Sequence, residues 1–197
     1  MGRKNQYSVI AAAAFLAVAT LSAQTPEQSW LDRALTNWNA PGRDMPRAIT
    51  DGEPVEEMTA RCKLTVPRTT AGERAVADAG WIPFHMYDRH LTQRDVEIVS
   101  GLAGVDGMCR PVEFNTFVFV GGKLAGTLSP EVMHSRTDGS IGGAIRLSAD
   151  DIAAEFVRYA DADPLCCPSG RVTVRYRIDR KATPPVVVPV STRVTRP

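Results

Sequence analysis

No apolar run in this 197-residue chain is long enough to cross a bilayer. The apolar core of the N-terminal segment, Val9 to Leu21, has thirteen residues, and a spanning helix needs about 20 apolar ones. Charge of one sign is also missing. Twenty-three basic residues face 22 acidic ones, so the balance carries no electrostatic footprint for nucleic acid or an anionic membrane. Cysteine is scarce: there are four, none in a Cys-x-x-Cys pair, and that argues against a zinc knuckle. No Gly-x-Ser-x-Gly elbow occurs. No EF-hand loop orders its oxygen ligands. Gly121-Gly122-Lys123 lacks the spacing and the following helix of a phosphate loop.

What is present begins with a leader. Arg3 and Lys4 precede the uncharged stretch, and Ser22 and Ala23 are small, so residues 1–23 read as a signal peptide cleaved after Ala23. Removing them leaves 21 basic residues against 22 acids, a net charge of −1. The remaining chain suits one domain with tails. Gln6 breaks the myristoylation pattern, and no cysteine near the cleavage point could carry a lipid. The expected location is therefore secreted or periplasmic, with no membrane span after cleavage.

All four cysteines, Cys62, Cys109, Cys166 and Cys167, lie behind the leader. An even count in an exported chain reads as disulfides. Three connectivities exist. The one joining Cys166 to Cys167 requires a ring across a single peptide bond. The other two tie this pair to Cys62 and Cys109, and these are the expected ones.

Along the chain, Thr25-Pro26-Glu27-Gln28 has the composition of a helix start. Leu31, Ala34, Leu35 and Trp38 would share one helical face, with Asn39 to Gly42 as the stop. Arg43 to Arg61 has no apolar period and reads as an irregular linker. Thr70 and Glu73 have capping-box spacing for a helix over 71–79, and Gly80 ends it. Trp81 to Phe84 suggests an edge strand because Pro83 lacks an N–H. Val96 to Val99 is a strand and Gly101 to Gly107 a glycine-rich loop. Phe114 to Val120 is the clearest strand, turning at Gly121-Gly122 into Lys123 to Leu128. Ser129 to Gly143 is turn-rich. Phe156-Val157-Arg158-Tyr159 is echoed by Thr173-Val174-Arg175-Tyr176, where Val172, Val174 and Tyr176 alternate with polar residues. Both copies are expected as strands, paired across the Asp161 to Gly170 loop. The four prolines after Lys181 point to a mobile tail.

These elements add up to an α+β fold: a small antiparallel sheet of hairpins with one or two short helices, stapled by disulfides. The expected divisions are a signal peptide (1–23), an N-terminal helix and linker (24–61), the stapled domain (62–180) and a proline-rich tail (181–197).

Phe117-Val118-Phe119-Val120-Gly121-Gly122-Lys123, the Gly126-Thr127 step, Cys167-Pro168-Ser169-Gly170 and Val172-Thr173-Val174-Arg175-Tyr176 form a pattern. It resembles the LppP/LprE family of exported lipoproteins over roughly residues 72–178. The resemblance implies an exported, disulfide-bearing α+β module and carries over no catalytic residue. The chain departs from the family in lacking the lipid-bearing cysteine.

Three groups invite a chemical reading. His85, Asp88 and His90 are suitable metal ligands, but their spacing matches no known motif, and hydrogen-bonded surface histidines account for them. His134, Ser135 and Asp138 contain the residue types of a hydrolase, but sequence neighbours rarely reach triad geometry. Asp106-Gly107, Asp138-Gly139 and Asp161-Ala162-Asp163 have the composition of tight turns rather than calcium loops. No catalytic, cofactor-binding or metal residue is assigned, and no cofactor. The leading expectation is a non-enzymatic module that contacts a ligand or protein of the cell envelope. An envelope hydrolase using His134 and a thiol–disulfide protein using Cys166-Cys167 are the rivals.

Overall fold

A computed structural model describes residues 29–49, 53–65, 68–84 and 91–195. The expected leader, the expected helix start at residues 25–28 and the His85-Asp88-His90 group lie outside the described residues.

The architecture is mostly β. Among the described residues, two antiparallel sheets contain nine strands, accompanied by two short helices. This corrects the expected α+β class with its single small sheet. In the first sheet, β1 (Ile82–Phe84) and β2 (Leu91–Gln93) both pair with β3 (Val96–Val105). β3 pairs in turn with β4 (Pro111–Val120), and β4 with β5 (Lys123–Thr127). The second sheet runs in chain order through β6 (Ile141–Ser148), β7 (Asp151–Arg158), β8 (Gly170–Asp179) and β9 (Val186–Thr195).

Alternation explains the second sheet. Val172, Val174, Tyr176 and Ile178 on β8 are buried, while Arg171, Arg175 and Arg177 are exposed. One face is thus apolar and the other solvated. The apolar face meets the first sheet: Ile98, Phe114, Val118 and Leu128 share one core with Ile152, Phe156, Val174 and Tyr176. The Tyr176 hydroxyl lies in that core and donates to the Leu128 carbonyl, which satisfies its one polar atom.

The first sheet is covered on both faces, so β3 and β4 are nearly continuous apolar runs. The helix α2 (Ala71–Asp78) packs Val76 against Trp81, Val99, Phe117 and Phe119 on the outer side. Its expected capping box is present: the Thr70 hydroxyl accepts from the Glu73 N–H, and the Glu73 carboxylate accepts from the Thr70 N–H at 3.0 Å. Glu97 on β3 accepts from the Gly72 N–H at 3.1 Å and ties the helix to the sheet. Gly101 is a strand residue rather than a loop residue, paired with Pro83 on β1 and Asn115 on β4, and it is glycine because a Cβ there would lie 2.8 Å from the Trp81 Cβ. The expected glycine-rich loop is therefore strand as far as Val105.

Three further expectations change. Residues 33–40 are not helical; only Trp30–Asp32 forms a 3-10 turn. An α-helix would separate Trp30 and Trp38 by about 12 Å along its axis, whereas their rings sit edge to face with centroids 5.5 Å apart. Val55–Cys62, expected as linker, forms helix α1. Glu56 and Glu57 in its first turn and Arg61 in its last complement the helix dipole, but it buries only Met58 and so shows no apolar stripe. Val186–Thr195, expected as mobile tail, is β9, paired with β8 from Asp179↔Val186 to Arg171↔Thr195. Pro189 sits next to a register shift on this edge strand, where a missing N–H is tolerated.

Asn39 joins the two sheets where β5 and β9 come together. Its Oδ1 accepts from the Thr127 N–H at 2.9 Å, and its Nδ2 donates to the Thr127 and Val187 carbonyls at 3.0 and 3.1 Å. Asn39→Ala would strand the buried Thr127 N–H. A loss of about 2 kcal/mol in urea unfolding is expected. A loss under about 0.5 kcal/mol would show that Asn39 does not couple the sheets.

Candidate functional site

The cysteines pair as Cys62–Cys109 and Cys166–Cys167. This overturns the expected ties between the Cys166-Cys167 loop and the other two. α1 brings Cys62 beside the turn between β3 and β4, with the Cys62 and Cys109 Cα atoms 5.5 Å apart. The loop between β7 and β8 is instead held from within. Asp163 Oδ2 accepts from the Ala160 and Ser169 N–H groups, both at 2.8 Å, and the Tyr159 hydroxyl donates to the Leu165 carbonyl at 3.0 Å. The Ala160 amide, and then that of Ser169, hold the Asp163 carboxyl below its ordinary range. Burial, and then the charge of Asp163, push the Tyr159 phenol up.

Beside this loop lies a cleft of about 660 Å³. The β5–β6 loop, the Trp30–Asp32 turn and the end of β7 form its walls. Trp30 anchors it. Its indole N–H donates to the Gly139 carbonyl at 3.0 Å, and its ring stands edge-on to Phe156 at 5.0 Å. Gly139 has φ +80°, and a Cβ there would lie 2.8 Å from the Trp30 Nε1, so both its backbone angle and this close approach call for glycine.

Arg158 closes one wall. Its Nη2 donates to both Asp32 oxygens at 2.8 and 3.0 Å, and its Nε donates to Asp138 Oδ1 at 3.0 Å. Partial burial would lower its proton affinity, but the bonds and charges of Asp32 and Asp138 outweigh that and raise it. Asp138 Oδ1 also accepts from the Tyr159 N–H at 2.7 Å. A second hollow of about 710 Å³ borders the same Asp32–Arg158 pair on the side of Ser169 and Val194.

The fold thus places His134 and Asp138 in one concave wall without assembling a triad. Asp138 is turned to Arg158 and Tyr159. The nearby Ser140 hydroxyl is buried and donates to the Thr137 carbonyl at 2.9 Å. His134 is exposed, and among the described residues nothing bonds its imidazole. Ser135 is fixed through its backbone, whose N–H donates to the Pro111 carbonyl at 3.1 Å. Of the turn candidates, Asp106 caps its own loop by accepting from the Met108 and Arg110 N–H groups. Among the described residues no three His, Cys, Asp or Glu side chains gather to hold a metal ion, and no helix is long and apolar enough to cross a membrane.

Sequence reasoning missed Trp30, Asn39 and Arg158. Their partners lie 109, 88 and 126 residues away, and no local pattern signals such contacts.

Facing antiparallel sheets, two cysteine pairs and a polar cleft between inter-strand loops define a disulfide-bearing β-sheet protein. Residues 90–181, from the start of β2 to the turn after β8, match the model of the LppP/LprE lipoprotein family. Over that span the chain is LppP/LprE-like, and the likeness is to a family of lipoproteins. No curated protein and no solved structure matched the chain.

Proposed function

We propose that the protein is an exported, non-enzymatic binding module of the cell envelope, and that the cleft beside Trp30 and Arg158 takes its ligand. The observation that supports this reading is the state of the cleft's polar groups. Asp32, Asp138, Ser140 and Arg158 are already bonded to one another or to backbone. They form a preorganised frame rather than an acid, base and nucleophile waiting for substrate. Rigid walls lower the ordering cost of binding. The hydrolase reading requires His134 to find a hydroxyl and an acid, and the two carboxylates nearest in sequence are engaged elsewhere, Glu131 with Arg33 and Asp138 with Arg158 and the Tyr159 N–H.

Solubilised peptidoglycan fragments added to the purified chain test this. Shifts of the Trp30 indole and Gly139 amide resonances are expected, with no new product by mass spectrometry after overnight incubation. Product that accumulates with time and disappears in His134→Ala would replace the binding reading with the hydrolase one. No shift at any cleft resonance would remove the cleft as the ligand site.

A further inference from the structure

The chain is close to neutral, yet the second sheet does not share charge evenly. Paired residues on neighbouring strands project to the same face. Arg146 on β6 is opposite Ala153, Ala153 is opposite Arg175, and Arg175 is opposite Ser191. In adjacent rows, Glu155 is opposite Thr173 and Thr173 opposite Arg193, Asp151 is opposite Arg177, and Val157 is opposite Arg171. Arg146, Arg171, Arg175, Arg177 and Arg193 therefore stand on the solvent face, away from the shared core, and all are exposed.

The acids on this face are too few to neutralise them. Glu155 pairs with Arg146 at 3.0 Å, and Asp151 meets Arg177 at 3.9 Å, both side chains about 70 % exposed. Asp179 at the far end accepts from the Lys181 N–H. Arg171 donates to the Gly142 carbonyl at 2.7 Å. Arg175 and Arg193 have no hydrogen-bond or ion-pair partner among the described residues.

We infer that this face is a docking surface for a linear anionic polysaccharide of the envelope. Three features favour that occupant. Three of the arginines, Arg171, Arg175 and Arg177, lie on the same face of one strand, and Arg171 to Arg177 extends about 20 Å. A linear chain with one anion per repeat can contact such a line at several points. The guanidinium fork matches carboxylate oxygens in geometry as well as charge. Between the arginines on β8 and β9 stand Thr173, Ser191 and Thr195, which offer hydroxyls, and the apolar residues of β9 beside them, Val188, Val190 and Val194, include no aromatic or leucine to anchor the face in a bilayer. The surface uses no residue of the cleft, so it stands or falls independently of the cleft reading.

The probe is a fluorescent polygalacturonate oligomer of about ten sugars, titrated with the full chain at low salt and again near physiological salt. Binding is expected that weakens as salt rises, because counterions are released. Neutral dextran should not compete. Arg175→Gln/Arg193→Gln should weaken binding at least tenfold with an unchanged unfolding midpoint, since both side chains are exposed. Arg47→Gln/Arg68→Gln removes the same charge outside this sheet and should change binding less than twofold. Absence of binding at low salt would overturn the inference, as would equal losses in the two double variants. Binding to vesicles rich in phosphatidylglycerol but not to the oligomer would overturn it in favour of a membrane surface.

Discussion

Replacing Phe156 with alanine is expected to lower the unfolding free energy by about 3–5 kcal/mol, the usual cost of a large buried aromatic. Phe156 is fully buried, on β7 between Ile141 and Val172. It lies in the core shared by both sheets and meets Trp30 edge-on. Its loss opens a cavity at the place where sheet-to-sheet packing and the base of the cleft coincide. Urea unfolding should show a lower midpoint with an unchanged slope, and tryptophan fluorescence should report the loosened Trp30. Thr173→Ala on the solvent face should stay within about 0.5 kcal/mol. A loss near 1 kcal/mol for Phe156→Ala would mean that the site collapses freely and that the two sheets do not depend on a common core.

Removing the Cys62–Cys109 bridge should cost about 2–4 kcal/mol. The bridge closes a span of 47 residues, and constraining a loop of that size in the unfolded chain is worth about 4 kcal/mol in the loop-entropy model. Removing the bond also releases α1, whose other hold on the core is the buried Met58 and the half-buried Val55. Cys62→Ser/Cys109→Ser is the variant to measure. Cys166→Ser/Cys167→Ser encloses no loop and should cost much less. Proteolysis without reductant, followed by mass spectrometry, checks the pairing itself: one fragment should join the Cys62 and Cys109 peptides. A fragment joining Cys62 to the Cys166-Cys167 loop would contradict the pairing on which this prediction depends.

The parts of the fold that were legible share a physical cause. The hairpin of Phe114 to Leu128 was readable because Gly121 and Gly122, at φ +56° and +75°, supply a turn that few other residues can make. The α2 helix was readable because the Thr70–Glu73 capping box acts within one turn. The β8 strand was readable because one of its faces is solvated, so its side chains alternate. β9 was hidden because Pro189 within it and Pro184-Pro185 just before it resemble the prolines of a loop, and only the partner strand β8 reveals that Pro189 sits next to a register shift. α1 was hidden because a helix with one buried residue has no stripe. The count of two sheets was hidden because alternation reports that a strand is half-buried, not which sheet covers it.

The candidate site divides along the same line. Its charged and turn-forming residues were visible as types, and His134 and Asp138 do line one cleft. What Asp138 does was invisible, because Arg158 binds it and also reaches Asp32, 126 residues away.

By itself the sequence determined four cysteines, a charge near zero, the hairpins and the likeness to LppP/LprE proteins. These follow from composition and from interactions within a few residues. The tertiary structure alone decided which cysteines pair, that two sheets share one core, that Asn39 joins them, and that the arginines of a nearly neutral chain collect on one face. Each depends on residues far apart in sequence, brought together when burying apolar surface outweighs the entropy of closing the chain.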